Sequence, residues 1–130
     1  MCTESADHSP SPLRVTVVGP CASGKTTLVE RLKEAGYDAW VTSQEHSVIP
    51  ELWNHQAPDA LIALKTDLET IRQRRGAGWS HSIFDAQMER LRNAFTAAGL
   101  IVDTTLCSEE ETASRALSYL RSLEDKRSGR

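Results

Sequence analysis

The run Gly19-Pro20-Cys21-Ala22-Ser23-Gly24-Lys25-Thr26 sets two glycines, a lysine and a hydroxyl at the spacing G-x-x-x-x-G-K-[ST]. The chemistry that spacing suits is recognition of a phosphate chain. Glycines let the backbone wrap an anion and turn its N–H groups inward. A helix opening directly behind the loop brings the positive end of its dipole to the same point. The lysine reaches terminal phosphates, and the hydroxyl after it suits a magnesium ion. Gly19, Pro20, Cys21, Ala22, Ser23, Gly24, Lys25, Thr26 and Thr27 are therefore expected to bind a nucleoside triphosphate. Lys25 is also a catalytic candidate and Thr26 a metal ligand.

Such a pattern carries that meaning only between a strand and a helix. Arg14-Val15-Thr16-Val17-Val18 before it is strand-like, and Thr27-Leu28-Val29-Glu30-Arg31-Leu32 after it is helix-like. With both flanks in place, the segment from Val15 to Leu32 resembles the Walker A region of P-loop NTPases. Ala22-Ser23-Gly24-Lys25-Thr26-Thr27-Leu28 is especially similar to small-molecule and nucleotide kinases. The resemblance implies a three-layer α/β/α P-loop NTPase-like fold, with ATP and Mg2+ as cofactors and phosphoryl transfer as the reaction.

The elements that must position the loop follow from the pattern of the rest of the chain. Strand-like and helix-like segments alternate, which implies an α/β fold with a short, mainly parallel sheet of about four strands. Strands are expected at residues 14–18, 38–42, 60–64 and 100–102, the third being a continuous apolar run suited to burial on both faces. Helices are expected at residues 25–35, stopped by Gly36, and at 67–75, opened by a capping box of Thr66 with Glu69. Gly76-Ala77-Gly78 breaks that helix. A longer one then sets Phe84, Met88, Leu91, Phe95 and Ala98 on one core-facing stripe. Ser108 and Glu111 cap the last helix, which packs through Ala113, Ala116, Leu117 and Leu120. Residues 43–58 read as a loop with a short helix near residues 50–53. One domain is expected over residues 13–123, with loose polar tails at 1–12 and 124–130.

Ligands of an open parallel sheet sit beyond the carboxyl ends of its strands. Three further segments fall there. After the second strand, Glu45 is the candidate carboxylate for magnesium or for taking a proton from an attacking hydroxyl, with Gln44 and His46 as neighbours. The alternative is a connecting polar loop, and one histidine does not make a metal site. The second segment is Arg72-Gln73-Arg74-Arg75, similar to the arginine-rich lid of small-molecule kinases. By that resemblance Arg72 and Arg75, with Arg74 beside them, contact phosphates or stack on the base; a solvated helix end is the alternative. The third is Asp103-Thr104-Thr105, which looks like the turn that lies along the base in that family, and which is otherwise an ordinary strand-to-helix turn.

The chain also departs from the kinase pattern. Residues 43–58 leave no room for an acceptor-binding insertion, Lys65 stands where the family has aspartate, and no clear Walker B aspartate is present. Two other functions stay open. Leu64-Lys65-Thr66-Asp67 echoes the guanine-reading N-K-x-D, although no D-x-x-G precedes it; a binding protein with little turnover is the other. Trp40, Trp53 and Trp79 are candidates for a partner surface or for core packing.

Composition narrows the classes. A net charge of −3 argues against a general nucleic-acid surface. No apolar run approaches ~18 residues, and the first residues lack a basic-then-apolar leader. The 3 cysteines have no metal-ligand spacing, so a reducing, cytoplasmic setting is expected.

Overall fold

The computed structural model of the protein describes residues 11–127. Its centre is a four-stranded sheet of order β2-β1-β3-β4, with β1 Arg14–Val18, β2 Asp38–Val41, β3 Ala60–Lys65 and β4 Leu100–Asp103. Every neighbouring pair is parallel. Among the described residues the α-helices are α1 Lys25–Glu34, α2 Leu68–Arg75, α3 His81–Ala97 and α4 Glu109–Arg127. The fold is α/β, with helices on both sheet faces. No described helix is long and apolar enough to cross a membrane.

The alternation of side chains along the two central strands divides the core. Val15 and Val17 of β1 and Ala60, Ile62 and Leu64 of β3 face α1 and α4, packing with Leu28, Leu32, Ala116 and Leu120. Val18, Leu61 and Ala63 face the other way, against Leu91 and Ala94 of α3. Period-two alternation sends side chains to opposite faces, so central strands are largely apolar; the buried Thr16 of β1 is satisfied by the Thr42 hydroxyl at 2.5 Å. Ile101 of the edge strand β4 is in register with Ala63, at the margin of the face that α3 covers, and is 46 % exposed.

The chain crosses from β1 to β2 on one side and to β3 on the other. The loop after β1 therefore emerges where the strand order reverses, the place where open parallel sheets leave a crevice.

Several expectations change in detail. The start of α2 is capped by Asp67, whose carboxylate accepts from Thr70 N at 2.8 Å, and not by Thr66. The Thr66 hydroxyl is buried against that of Thr104 at 2.5 Å, tying the end of β3 to the turn after β4. By contrast, Ser108 and Glu111 cap α4 reciprocally, at 2.8 and 3.1 Å. Residues 43–58 hold two short 3-10 turns, Gln44–His46 and Leu52–Asn54, the second C-terminal to the expected position. The expected tail from residue 124 is helical as far as Arg127, where Glu124 accepts a bond from the Tyr37 hydroxyl at 2.9 Å. Of the expected N-terminal tail, residues 1–10 lie outside the described residues, as do residues 128–130 at the other end.

Candidate functional site

Strand β1 ends at Val18 and the backbone turns sharply. Gly19 has no room for a side chain: a Cβ there would meet Leu64 O at 2.9 Å and Ser23 Oγ at 2.6 Å. Ala22 and Gly24 both adopt positive φ, 63° and 99°, and Ser23 N closes the turn onto Pro20 O at 3.2 Å. Left-handed residues alternating with right-handed ones aim successive N–H groups toward one side, a concavity suited to an anion. Gly24 begins α1 without a side-chain cap, so the first-turn N–H groups of that helix face the same concavity.

Lys25 folds back over this loop. Its Nζ donates to Gly19 O at 2.8 Å and Pro20 O at 3.0 Å, and pairs with Glu45 Oε2 at 2.9 Å. The two side chains are 10 % and 4 % exposed. Glu45 gets there because the 3-10 turn after β2 packs on α3, fixed by Gln44, which donates to Ile49 O and accepts from Trp53 N. Arg90 of α3 donates to Glu45 O at 3.2 Å. Glu45 Oε1 is buried with no hydrogen-bond partner, and so is Ser23 Oγ. A buried acceptor left unpaired costs about 1–3 kcal/mol, which a ligand can relieve.

Two cavities flank the loop. One of about 380 Å³ lies on the β2 side, lined by the loop, Thr26, Ser43, Glu45, His46 and Arg75. The other, of about 470 Å³, lies on the β4 side, lined by Ala22, Gly24, Thr27, Arg74, Thr104 and Cys107 among others. Beyond Cys21 and His46 the first opens toward a third, of about 580 Å³, lined by Arg75, Trp79, Gln87 and Arg90.

The expected site residues divide accordingly. Lys25, Thr26 and Glu45 share the β2-side cavity, and Arg75 reaches it from the end of α2. Thr104 lines the β4-side cavity. Asp103 lines neither; its carboxylate accepts from Thr105 N at 2.9 Å and shapes the turn. Arg72 is not brought to the loop, because its Nε donates to Trp79 O at 2.8 Å. Arg74 is the arginine that touches it, donating to Ala22 O and, at 3.0 Å, to Thr104 O. Helical phase decides this: two residues along a helix lie on nearly opposite sides. The three tryptophans are each half-buried and stand apart, Trp79 lining the third cavity. Trp53 packs on the α3 face of the core, with its indole N–H on Asn93 Oδ1 at 3.0 Å, and Arg14 lies 4.9 Å from the centre of the Trp40 ring.

Sequence reasoning missed Gln87. It is buried within the α3 stripe, where it accepts from Cys21 N at 3.1 Å and donates to Cys21 Sγ at 3.3 Å. A glutamine amid an apolar helical stripe was the available signal. No protein-family model matches the chain, and no curated protein matches it.

Proposed function

We propose that this chain is a compact P-loop kinase-like protein that binds ATP and transfers its terminal phosphoryl group to a small acceptor. The observation that carries the reading is the position of the glycine loop. It lies at the reversal of strand order, between two cavities, with a buried Lys25–Glu45 pair on one side. The β4-side cavity has the size and place for a nucleoside, with Thr104 and Arg74 along it. The β2-side cavity has the charge for the terminal phosphates and the acceptor.

In this reading Lys25 exchanges its two carbonyl partners and Glu45 for phosphate oxygens. The exchange leaves the Glu45 carboxylate free to orient the acceptor hydroxyl and take its proton. Arg75 supplies positive charge at the mouth, where charge develops on the transferred group. Magnesium fits this corner, because the Thr26 hydroxyl and the Glu45 carboxylate are hard oxygen ligands on one cavity, and Oε1 is unpartnered. Bound there, the ion would neutralise phosphate charge.

A guanine-specific switch gains nothing from the geometry. Asp67, its candidate base reader, spends a carboxylate oxygen on capping α2. The test is thermal denaturation with ATP or GTP, each with magnesium, since a ligand held only by the folded state raises its stability. A larger shift with ATP, and ADP release that depends on adding a mixture of small hydroxyl or phosphate acceptors, is expected. A larger shift with GTP overturns the ATP assignment, and ATP binding without acceptor-dependent release overturns the transfer.

A further inference from the structure

Cys21, Glu45 and His46 come from two loops 24 or more residues apart in sequence, yet they meet in one corner. Sulfur, imidazole nitrogen and a carboxylate oxygen all lie within 4.8 Å of one another. Cys21 Sγ is 3.5 Å from His46 Nε2, which is 3.7 Å from Glu45 Oε2. Those separations are close to the edges of a ligand tetrahedron. With Zn–S of about 2.3 Å and Zn–N of about 2.0–2.1 Å, a tetrahedral angle puts sulfur and nitrogen roughly 3.5 Å apart.

We propose that this corner is a zinc-class metal site, with Cys21, His46 and Glu45 as its three protein ligands. The set is one thiol, one imidazole and one carboxylate. Hard cations such as magnesium are poorly served by the first two, whereas zinc takes all three. The Glu45 side chain is 4 % exposed; its Oε2, the oxygen 3.7 Å from His46, is held by Lys25 at 2.9 Å, which leaves Oε1, without a bond from the protein, as the oxygen free to take an ion. Among the described residues Cys21 has no disulfide partner. Gln87 donates to its sulfur at 3.3 Å, the outer bond that orients a metal-bound thiolate. His46 is 58 % exposed on its side chain and lines both neighbouring cavities, which gives the ion an entry path. Three protein ligands leave a fourth position for water or an anion, the arrangement of an open zinc site and not of a closed structural one.

Zinc bound here would claim the Glu45 carboxylate that the transfer reading gives to magnesium and the acceptor, so the two are alternative states of one corner, and the zinc state is tested on the untagged, nucleotide-free protein. Competition against a chromogenic chelator measures zinc stoichiometry and affinity, and cobalt substitution reports sulfur ligation through a thiolate-to-metal charge-transfer band. One zinc per chain and a cobalt–thiolate band are expected. Cys21→Ser should abolish the band, and His46→Ala should abolish stoichiometric zinc binding. The double variant C2S/C107S, which keeps Cys21 as its single thiol, should retain both. Gln87→Ala should weaken zinc by about 10–100-fold with the band preserved. Circular dichroism of each variant separates ligand loss from unfolding. Zinc binding that survives unchanged in folded Cys21→Ser, or no stoichiometric binding by the folded parent protein, overturns the proposal. Either result leaves the ATP reading standing, because that is measured with magnesium alone.

Discussion

Helices α2, α3 and α4 begin differently from α1. Asp67 caps α2, Ser80 caps α3 through Ile83 N, and Ser108 with Glu111 caps α4. Each supplies an oxygen or carboxylate to N–H groups that would otherwise lack an acceptor. Helix α1 begins at Gly24, in a left-handed conformation and with no side chain to offer. The three capped ends stabilise the fold by themselves. The uncapped end has no side chain to accept from its first-turn N–H groups, the acceptor that the proposed phosphate would supply.

The largest expected break in that contrast comes from Lys25→Ala. Parent protein at a nucleotide concentration of 100 times Kd should gain about 2.7 kcal/mol. The variant should gain nothing measurable by thermal denaturation, and its ligand-free form should also be less stable, because Glu45 is left buried and unpaired. An undiminished nucleotide shift would show that the loop lysine does not reach the ligand.

Glu45→Gln sharpens the comparison from the other side. It keeps a hydrogen-bond acceptor for Lys25 but removes the proton acceptor, so turnover should fall about 10²–10⁴-fold while the nucleotide shift persists. Unchanged turnover would remove Glu45 from the transfer step.

Smaller effects separate the two kinds of helix start. Ser80→Ala should cost about 1 kcal/mol in chemical denaturation and leave nucleotide binding intact. Gly24→Ala forces a Cβ onto a φ of +99° and should cost about 1–2 kcal/mol, and it should weaken nucleotide binding as well. Equal effects of the two on binding would erase the distinction.

Acid titration gives the mildest test. Hydrogen bonds from the Thr70 side chain and N–H hold the Asp67 carboxyl below its ordinary value, and those of Ser108 do the same for Glu111. A depressed carboxyl stabilises the fold above its unfolded pKa, and that contribution is lost as pH falls through the folded value. Stability should therefore decline on the acid side of the ordinary carboxylate range. The decline should be shallower in Asp67→Asn and Glu111→Gln, followed by thermal denaturation across that range.

What the sequence made legible was what local pattern determines. The strand before the loop, the apolar run of β3 and the Ser108–Glu111 cap all depend on neighbours a few residues away. The start of α2 was misjudged by one residue, because the Thr66 hydroxyl is claimed by Thr104 across the sheet end. Arg74 displaces Arg72 at the loop for a similar reason: the phase of a short helix is set by which face it buries, here Leu68 and Ile71. The corner of Cys21, His46 and Gln87 could not be read in advance. Its members lie 25 and 66 residues from Cys21, and meet only when the sheet brings β2 and α3 to the loop.

The most direct measurement is amide hydrogen exchange across residues 22–27 with and without ATP and magnesium. Marked slowing confined to that loop and the first turn of α1, produced by ATP and not by adenosine, is the predicted result. Exchange there that ignores ATP, or slows equally with adenosine, would contradict a backbone grip on the phosphate chain.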